Sequence, residues 1–128
     1  MNFKIDTKEK FTVIELLDAD LSDIMAVDLK SICLPFLDAE ISNLIVNMQA
    51  VATIDSVIAQ TIAQIHQQFY DNNVSFVICN ISAEVKEILK KEEFDDVLNI
   101  TPSESEAWDI VQMEEIEREL LEGEDFIF

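Results

Sequence analysis

The segment LIVNMQAVATIDSVIAQTIAQI, residues 44–65, decides the fold of this chain. It passes from an apolar run typical of a buried strand into a helical pattern with Ile58, Ile62 and Ile65 on one face. Asp55 and Ser56 stand at the junction, although a helix needs only one polar residue as its N-cap. The pair therefore has two interpretations. Either one of the two residues caps the helix, or the serine is a site on which another protein acts.

Strand and helix patterns alternate on both sides of this segment. Strands are predicted at 2–6, 11–17, 43–48, 74–79 and 97–100, and helices at about 22–35, 56–70, 82–91 and from 103 onward. This order predicts a single α/β domain with a small, mostly parallel mixed sheet of four to five strands, about four helices and an extended C-terminal helix. The two opening strands form a hairpin, which adds the antiparallel part.

The ends of these helices carry recognisable signals. Ser22 and Ser82 are predicted N-caps, and Pro35 should kink or end the first helix. The stretch Thr101-Pro102-Ser103-Glu104 combines a capping box with proline at the first helical position. The last helix is expected to run to Gly123, the single glycine of the chain and a natural C-cap.

The composition restricts the classes of partner. Twenty-seven acidic residues against eight basic ones give a formal net charge of -19, which repels nucleic-acid backbones and anionic lipid surfaces. A basic protein surface is the expected partner. No apolar run approaches a membrane span or forms a signal peptide, so we expect a cytoplasmic protein, with Cys33 and Cys79 as buried reduced thiols.

The sequence offers little for catalysis or for cofactors. His66, the only histidine, follows Ser56 by ten residues on the same predicted helix, which separates the two by roughly 15 Å and excludes a serine–histidine pair. No Cys/His cluster has zinc spacing, and one glycine cannot build a phosphate-binding loop. We therefore expect no enzyme, no metal and no cofactor.

One stretch partly matches a calcium loop. Asp18, Asp20 and Ser22 fall at its first three ligand positions. The sixth position is Asp23, where glycine is needed, and the twelfth is Leu29, where glutamate is needed. An EF-hand is therefore excluded.

Three longer stretches share the motif order of a known family. NLIVNM followed by QAVATIDS, then VSFVICNISAEVKEIL and finally FDDVLNITPSESEAW together resemble the STAS family, which includes the anti-sigma factor antagonists. The resemblance covers about residues 2–112 and implies a STAS-like domain over 1–112. Residues 113–128 are then an acidic C-terminal helical extension.

The resemblance implies a function. In that family a non-enzymatic bacterial regulator of transcription binds a serine kinase that is also an anti-sigma factor, and phosphorylation of the antagonist breaks the complex. Here the phosphorylated residue would be Ser56. The implied partner-binding residues are Asp20, Ser22, Asp23, Thr53, Asp55, Ser56 and Val57.

Two features depart from the family pattern. The family usually reads Asp-Ser-Ser/Gly-Gly, whereas Val57 and Ile58 follow Ser56 here, and Asn72-Asn73 replace the glycines before the next strand. The alternative function is a STAS-like accessory subunit that binds a transporter or another regulatory complex constitutively, with Ser56 only a helix cap.

The extension also has two interpretations. Met113, Ile116 and Leu120 continue at helical spacing among glutamates. This face either packs on the domain itself, or it forms a homodimer or partner-binding helix.

Overall fold

The computed structural model describes residues 1–127, with side chains described through Leu121. The strands are β1 (Phe3–Thr7), β2 (Thr12–Leu16), β3 (Asp20–Leu21), β4 (Leu44–Asn47), β5 (Thr53–Ile54), β6 (Phe76–Cys79) and β7 (Asn99–Thr101). The α-helices are α1 (Ala26–Cys33), α2 (Ser56–Asp71), α3 (Ala83–Lys91) and α4 (Glu104–Ile127). Short 3-10 helices at Asp23–Met25 and Leu34–Asp38 flank α1.

Five strands form the main sheet in the order β1-β2-β4-β6-β7. β1 pairs antiparallel with β2, and every other neighbouring pair in this sheet is parallel. The prediction of a single α/β domain with a mixed, mostly parallel sheet and four helices is confirmed. A second sheet, of β3 and β5 only, was not predicted.

Helices cover both faces of the main sheet, so the central strands are buried on both sides. Leu44 and Val46 of β4 lie in the larger core beneath α1, α2 and α3. Ile45, between them, lies in a smaller core with Ala107 and Val111 of α4. This two-residue alternation explains why β4 reads as an unbroken apolar run.

The first helix begins and ends near its predicted bounds. Ser22 occupies the N-cap position of the 3-10 helix, but its side chain makes no capping hydrogen bond. α1 ends at Cys33, and the second 3-10 helix has Pro35 in its first turn. The predicted proline break is therefore confirmed.

The predicted ends of α3 and α4 can be compared with the structure. Ser82 caps α3, since its Oγ accepts from the N–H of Val85 at 3.1 Å. The proposed capping box is displaced by two residues, because Thr101 belongs to β7 and Ser103 Oγ accepts instead from the N–H of Glu106 at 3.3 Å. The prediction of a C-cap at Gly123 is wrong, because α4 continues through it to Ile127.

Asparagine serves where the family uses glycine in the turn after α2. Asn73 has a φ of 58°, in the left-handed region that asparagine tolerates better than most residues. The turn comprises Asn72 and Asn73, because Asp71 is the last residue of α2. In residues 1–127, no helix is both long enough and apolar enough to cross a lipid bilayer.

Candidate functional site

The two-stranded sheet joins the two stretches that the sequence singled out. Asp20 pairs with Thr53, and Leu21 pairs with Ile54. The N–H of Asp55 then donates to the carbonyl of Leu21 at 3.2 Å. Residues 20–23 and 53–57 therefore lie side by side at the start of α2, and all seven predicted partner-binding residues belong to one surface.

Asp55 holds this surface together with both carboxylate oxygens. Oδ1 accepts from the N–H of Ile58 at 2.8 Å, which makes Asp55 the N-cap of α2. Oδ2 accepts from the N–H of Asp23 at 2.7 Å, on the other stretch. One side chain thus fixes both the start of the helix and the position of the neighbouring loop.

Ser56 is the first residue of α2 and is exposed. The capping role predicted for Ser56 is wrong, because Asp55 is the N-cap of α2; the accessory-subunit alternative itself stays a prediction. Among the described residues, the Ser56 hydroxyl has no hydrogen-bond partner. It stands beside the unpaired N–H groups of the first helical turn, where a negative group is electrostatically favoured.

The two residues that depart from the family pattern lie in different environments. Ile58 is fully buried, so its side chain leaves the surface around Ser56 free. Val57 is 41% exposed and adds an apolar side chain to that surface. Only Val57 therefore changes what a partner would meet.

Two further apolar residues of this region were missed by the sequence analysis. Ile24 and Val27 are 82% and 73% exposed, and Ile24 directly follows Asp23, whose N–H binds Asp55. Their three-residue spacing places them on one face of the segment that packs against α2. The sequence did contain a signal for their exposure: neither residue falls at the helical spacing of the apolar residues that face inward from the first helix.

Acidic residues lie on the same two stretches as these exposed apolar side chains. Asp20 and Asp23 are exposed, and Asp55 is partly exposed. We call the set formed by these three residues with Ser56, Val57, Ile24 and Val27 the α2 entry surface. Its mixture of exposed apolar and acidic side chains fits a protein partner with apolar and basic side chains.

The reactive side chains elsewhere are sequestered. Burial raises the pKa of both Cys33 and Cys79 to about 12, and both thiols are free. His66 is half-buried, and burial lowers its pKa while the charge of Glu114 opposes that shift. No group of His, Cys, Asp and Glu within the described part of the chain has the arrangement of a metal site.

The C-terminal helix is tied to the sheet by polar contacts. Asn43 Nδ2 donates to Glu115 Oε1 at 2.7 Å, and both terminal guanidinium nitrogens of Arg118 donate to Ser75 Oγ at 3.3 Å. One face of α4 thus packs on the domain beyond residue 112. A domain boundary at that point stays a prediction, since α4 crosses it without a break.

The opposite face of α4 carries an apolar stripe. Met113, Ile116 and Leu120 are all more than half exposed. The homodimer or partner-binding role proposed for this stripe stays a prediction.

The family-level comparison identifies the class of this domain. The model of the STAS domain matches residues 2–107, so the chain belongs to the STAS domain family. No curated protein matches the sequence.

Several solved structures have a similar fold. An anti-sigma factor antagonist from Mycobacterium paratuberculosis is 13% identical, with a TM-score of 0.76 over 87% of this chain and 93% of the other. The anti-sigma factor antagonist SpoIIAA in its unphosphorylated form is 16% identical, with a TM-score of 0.69 over 87% and 96%. The murine Solute Carrier 26 family member A9 anion transporter is 17% identical, with a TM-score of 0.64 over 81% of this chain and 18% of the transporter. At these identities the likeness shows the fold alone.

Proposed function

We propose that this chain is a non-enzymatic, cytoplasmic bacterial anti-sigma factor antagonist. It binds an anti-sigma serine kinase through the α2 entry surface and loses that partner when Ser56 is phosphorylated. The observation that carries the proposal is the exposed, unpaired Ser56 hydroxyl at the start of α2, beside Val57 and Ile24. The similarity to SpoIIAA, whose structure is described as its unphosphorylated form, supports the same role.

The site supports a switch that acts on the partner and leaves the fold intact. A phosphate on Ser56 adds a charge of about -1.5 to -2 at neutral pH. The free N–H groups of the first turn of α2 favour that charge locally, so the domain keeps its structure. In the complex, the same charge would enter an interface that contains apolar side chains, where it costs desolvation and displaces apolar contacts.

The acidic residues of this surface have a separate role in this proposal. Asp20 and Asp23 are exposed and attract a basic partner surface, which raises the association rate at low salt. Asp55 positions both stretches through its two hydrogen bonds. In this proposal it does not take part in the phosphoryl transfer. ATP belongs to the kinase in this scheme, so the chain itself needs no cofactor.

Incubation of the protein with ATP and a purified anti-sigma serine kinase from the same organism tests the proposal. We expect one phosphate, located on Ser56 by mass spectrometry, and none on the Ser56→Ala variant. Ser31→Ala is a matched control, because Ser31 is also an exposed helical serine, on α1. Phosphate on Ser31 or on no serine at all would contradict the switch.

Binding measurements test the interface separately. We expect Ser56→Asp to weaken the kinase complex by at least about tenfold, because the new charge faces the partner. Ile24→Asp should weaken it similarly, while Val97→Asp, at another exposed apolar position outside this surface, should leave the affinity unchanged. Equal affinity of all four proteins would refute the assigned surface.

A second candidate function has its own support. The fold also resembles part of an anion transporter, which favours an accessory module that binds a larger protein constitutively. In that case Ser56 stays unmodified and Ser56→Asp binds as tightly as the wild type. The capping role of Asp55 is the same in both candidates.

A further inference from the structure

Within residues 1–127, no strand pairs with the outer edge of β1. β1 is the first strand in the sheet order, so only one of its edges faces a neighbour. All five of its residues are exposed, and Phe3 and Ile5 are exposed to 37% and 51%. An exposed edge strand with apolar side chains is a template for pairing with another strand.

The hydrogen bonds to β2 determine which backbone groups of β1 are free. The N–H of Leu17 donates to the carbonyl of Asn2 at 2.9 Å, and the N–H of Lys8 donates to the carbonyl of Phe11 at 2.8 Å. Bonded and non-bonded pairs alternate along an antiparallel ladder, so the backbone N–H and C=O groups of residues 2, 4, 6 and 8 point toward β2. The N–H and C=O groups of the odd-numbered residues 3–7 therefore point away from the sheet.

We propose that β1 pairs antiparallel with β1 of a second copy of this chain. A twofold axis through Ile5 sets Ile5 against the partner's Ile5, and Phe3 against the partner's Thr7. This register uses all the free backbone groups, in six N–H···O=C bonds. The interface is isologous, and the two five-stranded sheets join into one.

Charge favours the same register. The twofold pairing sets Lys4 opposite the partner's Asp6, and by symmetry Asp6 opposite the partner's Lys4. Such opposite-charge cross-strand pairs are stabilising. Lys8 Nζ lies 2.7 Å from Asp6 Oδ2 in the same chain and holds that carboxylate on the strand. Each Asp6 would then lie between two lysines.

The charge distribution favours this edge over α4 for self-association. A net charge of -19 makes two copies repel each other in general. Residues 1–10 carry a small positive excess, because they hold three of the eight basic residues of the chain and only two acidic ones; α3 has the same balance. α4 holds ten acidic residues and one arginine, so pairing through its apolar stripe would bring like charges together.

Sedimentation equilibrium over a concentration series tests the dimer. We expect a monomer–dimer equilibrium for the wild type. Ile5→Pro removes an N–H that points away from β2, so it spares the β1–β2 ladder and deletes both central intermolecular bonds. The dissociation constant should rise by at least about tenfold. At a protein concentration low enough for both proteins to be monomeric, an unchanged melting temperature would show that the fold is intact.

A charge-reversal cycle identifies the register. Lys4→Asp and Asp6→Lys should each weaken the dimer, since each sets like charges opposite one another, and the double variant should restore it. Met113→Asp on α4 is the control and should leave the dimer mass unchanged. Ser56→Asp should also leave it unchanged, so this test is independent of the proposed function.

Two results would overturn the β1 dimer. The first is a wild-type protein that stays monomeric at every concentration measured. The second is a dimer that Met113→Asp dissociates and Ile5→Pro does not, which would assign the interface to α4.

Discussion

The two hydrogen bonds of the Asp55 carboxylate lead to a quantitative prediction. Asp55→Ala removes the N-cap bond to Ile58 and the bond to the N–H of Asp23. Loss of an N-cap side chain costs about 1 kcal/mol. Loss of the second bond costs about 1 kcal/mol more, because Asp23 is exposed and water can partly replace the carboxylate.

The free energy of unfolding should therefore fall by about 2 kcal/mol in Asp55→Ala. For a domain of this size, the corresponding fall in melting temperature is about 6 to 10 °C. Urea denaturation followed by far-ultraviolet circular dichroism measures the first quantity, and calorimetry measures the second. An unchanged urea m-value would show that only stability has changed.

Two further variants separate the contributions. Asp55→Asn keeps an oxygen that can cap Ile58 and loses the second acceptor, so it should cost about 1 kcal/mol. Asp109→Ala removes an exposed carboxylate on α4 and should change stability by no more than about 0.5 kcal/mol. If Asp55→Ala were as stable as Asp109→Ala, the proposed role of Asp55 as the link between the two stretches would be refuted.

Three other measurements test the interior. Burial lowers the pKa of His66 from 6.5, so its contribution to stability is full above that pH and is lost as the pH falls toward the folded pKa. His66→Gln should therefore flatten the pH dependence of the free energy of unfolding between pH 7 and 5. A parallel pH dependence in the wild type and the variant would argue against the lowered pKa of His66. Because their pKa is raised to about 12, Cys33 and Cys79 should react with a thiol reagent at pH 8 only after unfolding in guanidinium, and rapid labelling of the native protein would contradict their burial. Asn43→Ala removes a buried amide that bonds to Lys10 in the hairpin loop, to Ser75 just before β6 and to Glu115 of α4. This variant should cost about 2 to 3 kcal/mol in urea denaturation. A loss below about 1 kcal/mol would show that water replaces those bonds.

Local sequence patterns predicted most of the secondary structure. The apolar runs of β4 and β6 are long enough to show burial on both faces, and the 3.6-residue spacing of α2 is carried by Ile58, Ile62 and Ile65. Asp55, Ser56 and Ser82 were identified at helix starts because capping depends on a few neighbouring residues.

The same local patterns could not decide which residue of the Asp55-Ser56 pair caps α2. Both Asp55 and Ser56 can cap a helix, and the choice depends on which residue has extended backbone. Asp55 has a ψ of 178° and takes the cap, in part because its second oxygen binds the N–H of Asp23 from a distant part of the chain. That contact has no signal in the sequence around residue 55.

The sequence by itself determined the element order, the α/β class and the position of Ser56 at the start of a helix, because these depend on residues a few positions apart. Only the tertiary structure decided that β3 pairs with β5, that Ile24 lies exposed near Ser56, and that β1 has a free edge. Strands of two residues are too short to show a period. The exposure of a side chain depends on what the rest of the chain covers, and this is settled only when distant segments pack together.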